Sequence, residues 1–344
     1  MDICRQLYEM ADVDTLILQT PSNTLYLSGY QSTNCQVILT KDNSYFLTDM
    51  RYFLEAKQVL GNRFEILCQG LDSSQDLICG DKIGFEDDIS YGQYRLISKL
   101  VGGRQLCSVS HVISSLRDIK NSYEIKCIRH AQQVTELAFD EALKIVKEGL
   151  SEVELAAYIE YIMKKNNCHA AFESITAFGR HTASPHAHPD GTALKNGDFI
   201  TMDIGARYKG YCSDMTRTVG YGQISSKQCE IYQHVLTAQQ LALDSLKAGM
   251  SGKEGDAIAR DYFKSNKLDG YFTHSLGHGV GIDIHEGVGL TPKEERVLLP
   301  DMVVTVEPGL YIDGEFGVRI EDMVLIKDGG IMDLTNTNKK LIIL

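Results

Sequence analysis

Across residues 1–118, short apolar runs alternate with a stretch of helical spacing. DTLILQT, CQVILT, SYFLT, FEIL and KIGFE read as strands, with a turn expected at Pro21 to Asn23 and a helix from about Arg51 to Leu60. That alternation predicts a small α/β domain. The segment from Arg117 to Gly149 then places Ile125, Ile128, Val134, Leu137, Ala138 and Leu143 at roughly helical spacing, with Gly149 expected as the C-terminal stop. The boundary is set near Asp118, which gives domains 1–118 and 119–344.

The second domain repeats itself. Ser151 with Glu154 forms a capping-box signature at a helix start, and Ser251 with Glu254 repeats it one hundred residues later. Lys147, Gly149, Ala157, Lys164 and Asn166 match Lys247, Gly249, Ala257, Lys264 and Asn266. Each helical stretch is followed by a strand carrying an acid and a glycine, Asp203 with Gly205 and Glu307 with Gly309. The pattern predicts a duplicated helix, helix, hairpin unit related by a pseudo-twofold axis.

Both hairpins are acidic. FITMDIGARYKGYCSDMTRTV has β-branched and aromatic residues on both sides of Tyr208, Lys209 and Gly210. A two-residue turn at Tyr208 and Lys209 makes Asp203 and Asp214 a directly opposed pair, with Cβ atoms roughly 5 Å apart. MVVTVEPGLYI and FGVRIEDMVLI flank Asp313 to Glu315 and place Glu307 opposite Glu321. Like charges at that distance destabilise a sheet unless a cation sits between them. Four carboxylates fit two divalent ions, with His278 as the only nitrogen ligand. Oxygen-rich coordination of this kind suits manganese, cobalt, iron or zinc, and it points to metal-assisted hydrolysis.

Composition narrows the partners. With 43% hydrophobic and 23% charged residues this is an ordinary globular chain, and a net charge of −12 argues against nucleic acid. The start MDICRQLYEMADVD lacks the apolar core of a signal peptide, and no run of about 18 apolar residues occurs, so no membrane association and a cytoplasmic location are expected. Nine cysteines without a C-x-x-C pair fit reduced thiols. Cys212, two residues before Asp214, is read as a packed thiol near the site.

The segments SPHAHP, TMDIGARYKGYCSDMTRT, HSLGHGVGIDIHE, TVEPGLYI and GVRIED resemble the Xaa-Pro peptidases of the pita-bread superfamily, which holds prolidase, aminopeptidase P, methionine aminopeptidase and creatinase. LYLSGY, LTDMRY and KIGFE extend the likeness to the N-terminal domain of the prolidase and aminopeptidase P branch. The resemblance implies a creatinase/prolidase-like α/β domain before a pita-bread catalytic domain. It implies that Asp203 chelates one metal, His278 with Glu307 the other, and that Asp214 and Glu321 bridge the two. The ions it implies are most often manganese, with cobalt, zinc or iron as alternatives. His186 takes the place of the family's proton-transfer or substrate-binding histidine, His274 of one that lines the pocket, and His285 of one that stabilises the oxyanion. Glu307 would handle a proton while ligating metal, Arg319 would orient Glu321 or bind substrate, and Tyr211 is read as packing.

The implied substrates are proline-containing dipeptides or short peptides, and the implied assembly is a homodimer. Dipeptidase is favoured over aminopeptidase P, the difference lying in how the pocket is closed beyond proline. Creatinase-type hydrolases lack the acids present here, methionine aminopeptidases lack such an N-terminal domain, and inactive interaction modules of this fold show eroded ligands.

Overall fold

The computed structural model describes residues 3–344. The chain packs as two units, Met1–Arg117 and Asp118–Leu344.

The first unit runs α1 (Ile3–Ala11), β1 (Thr15–Leu18), α2 (Pro21–Ser28), β2 (Cys35–Thr40), β3 (Ser44–Thr48), α3 (Met50–Leu60), β4 (Glu65–Cys68), β5 (Lys82–Phe85), α4 (Tyr91–Val101), β6 (Gln105–Ser108) and α5 (Ser110–Asp118). One mixed sheet results, in the order β4-β3-β2-β1-β5-β6. Alternate side chains point to opposite faces of a strand, so Leu16 and Leu18 pack against α1, α3 and α5 through Leu7, Leu60 and Ile113. Ile17 and Ile38 face the other way, onto Ile97 and Leu100 of α4. The α/β reading of this region therefore holds, with one correction. Pro21 to Asn23 is no turn but the first turn of α2, a position where the fixed φ of proline suits a helix and its missing N–H costs nothing. The entry is stabilised from far along the chain: buried Glu86 accepts from the backbone N–H groups of Gln19 and Thr20 and from the Asn23 side chain.

The second unit is the duplicated one. Its first half comprises α6 (Ser122–Ile145), α7 (Glu152–Lys165), β7 (His169–Ala170), β8 (Ile175–Phe178), β9 (Phe199–Ile204), β10 (Ala206–Tyr208), β11 (Tyr211–Cys212) and β12 (Met215–Gly220). The second half comprises α8 (Ser226–Ser245), α9 (Gly252–Ser265), β13 (Val303–Val306), β14 (Gly309–Ile312), β15 (Phe316–Arg319), β16 (Asp322–Lys327) and β17 (Gly330–Asp333). α7 and α9 both have 14 residues and both begin with the expected capping box, Ser151 with Glu154 and Ser251 with Glu254. Gly149 is not the stop of α6, which ends earlier at Ile145; like Gly249 it has a left-handed backbone and ties the approach to the next helix, donating to Leu194 O as Gly249 donates to Leu298 O. Each half has its own core, around Phe139, Leu155 and Met202 in one and Val235, Phe263 and Val304 in the other.

Each half also contains a long hairpin whose ladder breaks midway. In the second half Val306 pairs with Asp322 before the break and Gly309 with Arg319 after it, in one continuous register. Glu307 and Glu321 share a rung inside that break, as expected. The first hairpin differs from its prediction. Tyr208 pairs with Tyr211, so the turn is Lys209–Gly210, both with positive φ of 49° and 89°. A two-residue hairpin turn of the favoured type requires φ > 0 at both positions, and glycine meets that need at the second. The register moves accordingly: Asp203 faces Thr216, and Asp214 lies in the break between β11 and β12.

Candidate metal centre

The hairpins of the two halves meet along β12 and the break at Glu321. Glu321 N donates to Thr216 O at 3.1 Å, and Thr218 Oγ1 donates to Arg319 O at 3.0 Å. This contact gathers the acids into one place. The loop before β13 adds His278, whose backbone N–H donates to Thr305 Oγ1 at 3.0 Å, while Thr305 O–H donates to Glu307 Oε1 at 3.0 Å. His278 Nδ1 lies 3.2 Å from Gly279 O, an acceptor, so Nδ1 carries the proton and Nε2 presents a lone pair. That Nε2 sits 3.3 Å from Glu307 Oε1 and 3.5 Å from Asp214 Oδ2. Asp214, His278 and Glu321 each offer a ligand atom within 4.8 Å of the others.

The donor set fits cations. Asp203 Oδ1, Asp214 Oδ1 and Glu321 Oε1 are buried with no hydrogen-bond partner, and a buried orphan acceptor is costly. Burial and the neighbouring charges of Glu321, Asp203 and Glu307 push the Asp214 carboxyl well above the usual carboxylate range. Burial does the same to Glu321, helped by Glu307, and lifts Glu307 to about 7. The His278 imidazole is pushed down by burial and stays neutral, the form that ligates metal. Divalent cations would satisfy the three orphan oxygens, the imidazole lone pair and the excess charge together.

The nine residues given metal-ligating or catalytic roles in the sequence, Tyr211 and Cys212 not among them, line one cavity of about 490 Å³. Arg319 does more than the sequence suggested. Its Nη2 donates to Asp203 Oδ2 at 2.6 Å, and its Nε to Thr216 Oγ1 at 3.1 Å, while Thr216 donates on to Glu321 Oε2 at 2.6 Å. The guanidinium thus orients Asp203 directly and Glu321 only through Thr216. Its Nη1 donates to Tyr311 Oη at 2.7 Å, and Tyr311 Oη in turn lies 2.9 Å from His274 Nε2. His274 Nδ1 faces Ser275 O at 2.8 Å, so both ring nitrogens of His274 are engaged. Burial first, then Arg319, drives His274 down to about 4, and burial raises Tyr311 to about 12. The tyrosine therefore donates to a neutral imidazole. His285 packs its ring 4.1 Å from that of His278, and His186 lines the cavity from the loop before β9.

Sequence reasoning missed Tyr311, Thr216 and Thr305. Tyr311 and Thr305 carry an available signal: they lie four residues after and two before Glu307 on the strands flanking the break. Cys212 is a packed thiol, its Sγ 3.3 Å from Ile282 O, and Tyr211 Oη donates to Glu124 Oε1 at 3.2 Å; neither lines the cavity.

Residues 126–328 match the family described as metallopeptidase family M24, and residues 2–119 match the creatinase/prolidase N-terminal domain. The chain belongs to metallopeptidase family M24. Within M24 it is 35% identical to the Xaa-Pro dipeptidase of Pyrococcus furiosus, over 96% of this chain and 95% of that one. Its structure superposes on the Xaa-Pro dipeptidase from Bacillus anthracis with a TM-score of 0.94 at 37% identity, covering 99% and 98% of the two chains. The X-Pro aminopeptidase from Thermotoga maritima gives 0.92 at 32% identity, with coverage of 99% and 98%. As an M24 metallopeptidase the protein uses divalent metal, and the cluster around Asp214, His278 and Glu321 offers it a place. Among the described residues no helix is long and apolar enough to cross a membrane.

Proposed function

We infer that this M24 protein is a dinuclear-metal Xaa-Pro dipeptidase, hydrolysing the bond between an N-terminal residue and proline. The observation that carries the reading is the set of three orphan carboxylate oxygens whose residues share with His278 one cavity large enough for a short peptide. The names of the relatives supply the substrate class.

Asp203, Asp214, His278, Glu307 and Glu321 would hold two divalent ions, with manganese the first candidate and cobalt, zinc or iron the others. Bound there, the ions supply Lewis-acid polarisation of the scissile carbonyl and activate water at neutral pH. The protein's own groups do the rest. Glu307, at the cavity wall with the Thr305 hydroxyl on its Oε1, is placed to take and return a proton. His285, half-buried beside His278, donates to the carbonyl oxygen as negative charge develops on it. His186 reaches the substrate from the opposite loop, and the proline nitrogen leaves after receiving a proton through Glu307 or a histidine. The enzyme is proposed to work in the cytosol as a homodimer, with no role for nucleic acid or membrane.

One observation favours the second reading, an aminopeptidase acting on longer Xaa-Pro peptides. Among the described residues Arg319 is the single Lys or Arg lining the cavity, and its guanidinium is committed to Asp203, Thr216 and Tyr311, so none of these residues offers a free cation to a dipeptide's carboxylate.

The test is hydrolysis of a dipeptide ending in proline beside a tripeptide with proline second, using metal-stripped protein resupplied with manganese and an Asp214→Ala control. Cleavage of the dipeptide alone supports the first reading, and release of the first residue from the tripeptide supports the second. No cleavage of either, with metal bound, sinks both.

A further inference from the structure

The two halves of the catalytic unit diverge at one equivalent position. In each, the first turn of the second helix receives the chain returning toward the centre. Glu152 N and Val153 N donate to Thr192 O and Asp190 O, both at 3.1 Å; Gly252 N and Lys253 N donate to Arg296 O and Glu294 O at 3.1 and 2.7 Å. The first helical residue itself differs. At Gly252 the loop backbone occupies the side-chain position, and a Cβ there would lie 2.1 Å from Gly289 O. At Glu152 a side chain is present and wholly buried, and its carboxylate takes up the corresponding space.

That carboxylate holds both ends of one loop. It accepts from Phe178 N at 2.7 Å, where the chain leaves β8, and from Asp190 N at 3.1 Å, where it comes back to the helix. Between those ends it accepts from His181 Nδ1 at 2.8 Å. The loop so closed carries His186 into the cavity and presents Pro185 O to Arg319 Nη1 at 3.2 Å. It also meets the second half directly, Thr182 Oγ1 accepting from Gly317 N at 2.8 Å. Glu152, His181 and Asp190 approach one another closely enough to suggest a cation site. Both Glu152 oxygens are taken as above, and Asp190 Oδ1 accepts from Thr192 N at 2.6 Å. The cluster is a tie.

We propose that Glu152 is a positioning residue, whose carboxylate fixes loop 179–190 and thereby sets His186 and the Pro185 carbonyl against the metal-bearing cavity. The consequence for turnover rests on the metallopeptidase reading; the tie itself does not. Hydrogen exchange on the metal-loaded enzyme separates the two. In Glu152→Gln, the amides of Phe178 and Asp190 should exchange about tenfold faster or more, while the matching second-half segment 276–294 keeps its protection. With metal stoichiometry unchanged, kcat on an Xaa-Pro peptide should fall about tenfold and KM should move less. His181→Gln, which keeps a donor, should retain most of the activity, and His181→Phe should not. Should Glu152→Gln fail to fold, faster exchange over 179–183 in His181→Phe than in His181→Gln carries the same test. Unchanged exchange at Phe178 and Asp190, or equal acceleration in both halves, overturns the proposal. Faster local exchange without cleavage of any Xaa-Pro peptide by the parent protein leaves the tie standing and removes the substrate reading instead.

Discussion

Arg319 reaches Asp203 across the line where the two halves meet, with 2.6 Å between Nη2 and Oδ2. The same guanidinium serves Thr216, Tyr311 and the Pro185 carbonyl, four directions that an ammonium cannot match. Arg319→Lys is therefore expected to weaken divalent-metal affinity about 10- to 100-fold, as loss of groups that orient ligands does. Arg319→Ala should add about 3–5 kcal/mol of destabilisation by leaving Asp203 buried and unpaired. Metal titration and denaturant unfolding measure the two effects; wild-type affinity in Arg319→Lys would remove the orienting role.

Tyr311→Phe deletes one oxygen that joins Arg319 to His274. The cost in stability should be about 1–3 kcal/mol, since a buried acceptor on His274 and a donor on Arg319 lose their partner. Metal content should stay at its wild-type value while kcat drops. A variant with normal turnover would show that His274 needs no hydroxyl to hold it.

Metal removal should make stability depend on pH in a defined direction. Burial, with neighbouring charge, raises the carboxyls of Asp214 and Glu321, and Glu307 goes from 4.5 to about 7. Between those values the unfolded chain has lost its proton while the folded chain keeps it, so folded stability falls as pH rises through the window. His274, depressed to about 4, acts oppositely between there and its ordinary 6.5. The informative quantity is therefore the Tm gap between metal-loaded and metal-free protein. It should widen from about pH 5 to about pH 8, because cations replace the protons that crowd the site. A gap that is flat or narrows with pH would contradict the cation-binding assignment of these acids.

Gly277 lies against β13, and a Cβ there would sit 2.0 Å from Thr305 O. Backbone cannot yield as a flexible side chain does, so Gly277→Ala should push His278 away from Glu307. We expect a loss of about 3 kcal/mol, at the upper end of overpacking costs, together with reduced metal affinity. Thermal unfolding and metal content of the purified variant test both.

The four acids were legible because their chemistry and spacing are local properties of two hairpins, and His278 because it stands in the segment HSLGHGVGIDIHE. The rung shared by Glu307 and Glu321 followed from a turn centred on Gly314, whereas the Asp203 register was missed by misplacing one turn by a single residue. Local patterning weighs Tyr208, Lys209 and Gly210 almost equally, and only the need for two successive positive φ values decides among them. What stayed hidden is long-range. Glu86 supports α2 from over sixty residues away, and Thr216 links Arg319 to Glu321 from another strand. Such partners have no periodicity to betray them.

The interruptions in the two hairpins also act as phase markers. A strand assigns its side chains to faces by parity, and Thr305, Glu307 and Tyr311 keep one parity across the gap at Glu307–Pro308, so that Thr305 reaches Glu307 and Tyr311 reaches His274, both of which line the cavity. One residue inserted at that gap would swap the facing of everything up to the hairpin tip. An insertion at the exposed tip, Asp313 to Glu315, would leave parity on both arms untouched. Length variation in proteins built on this plan should accordingly gather at the tips and be absent from the gaps.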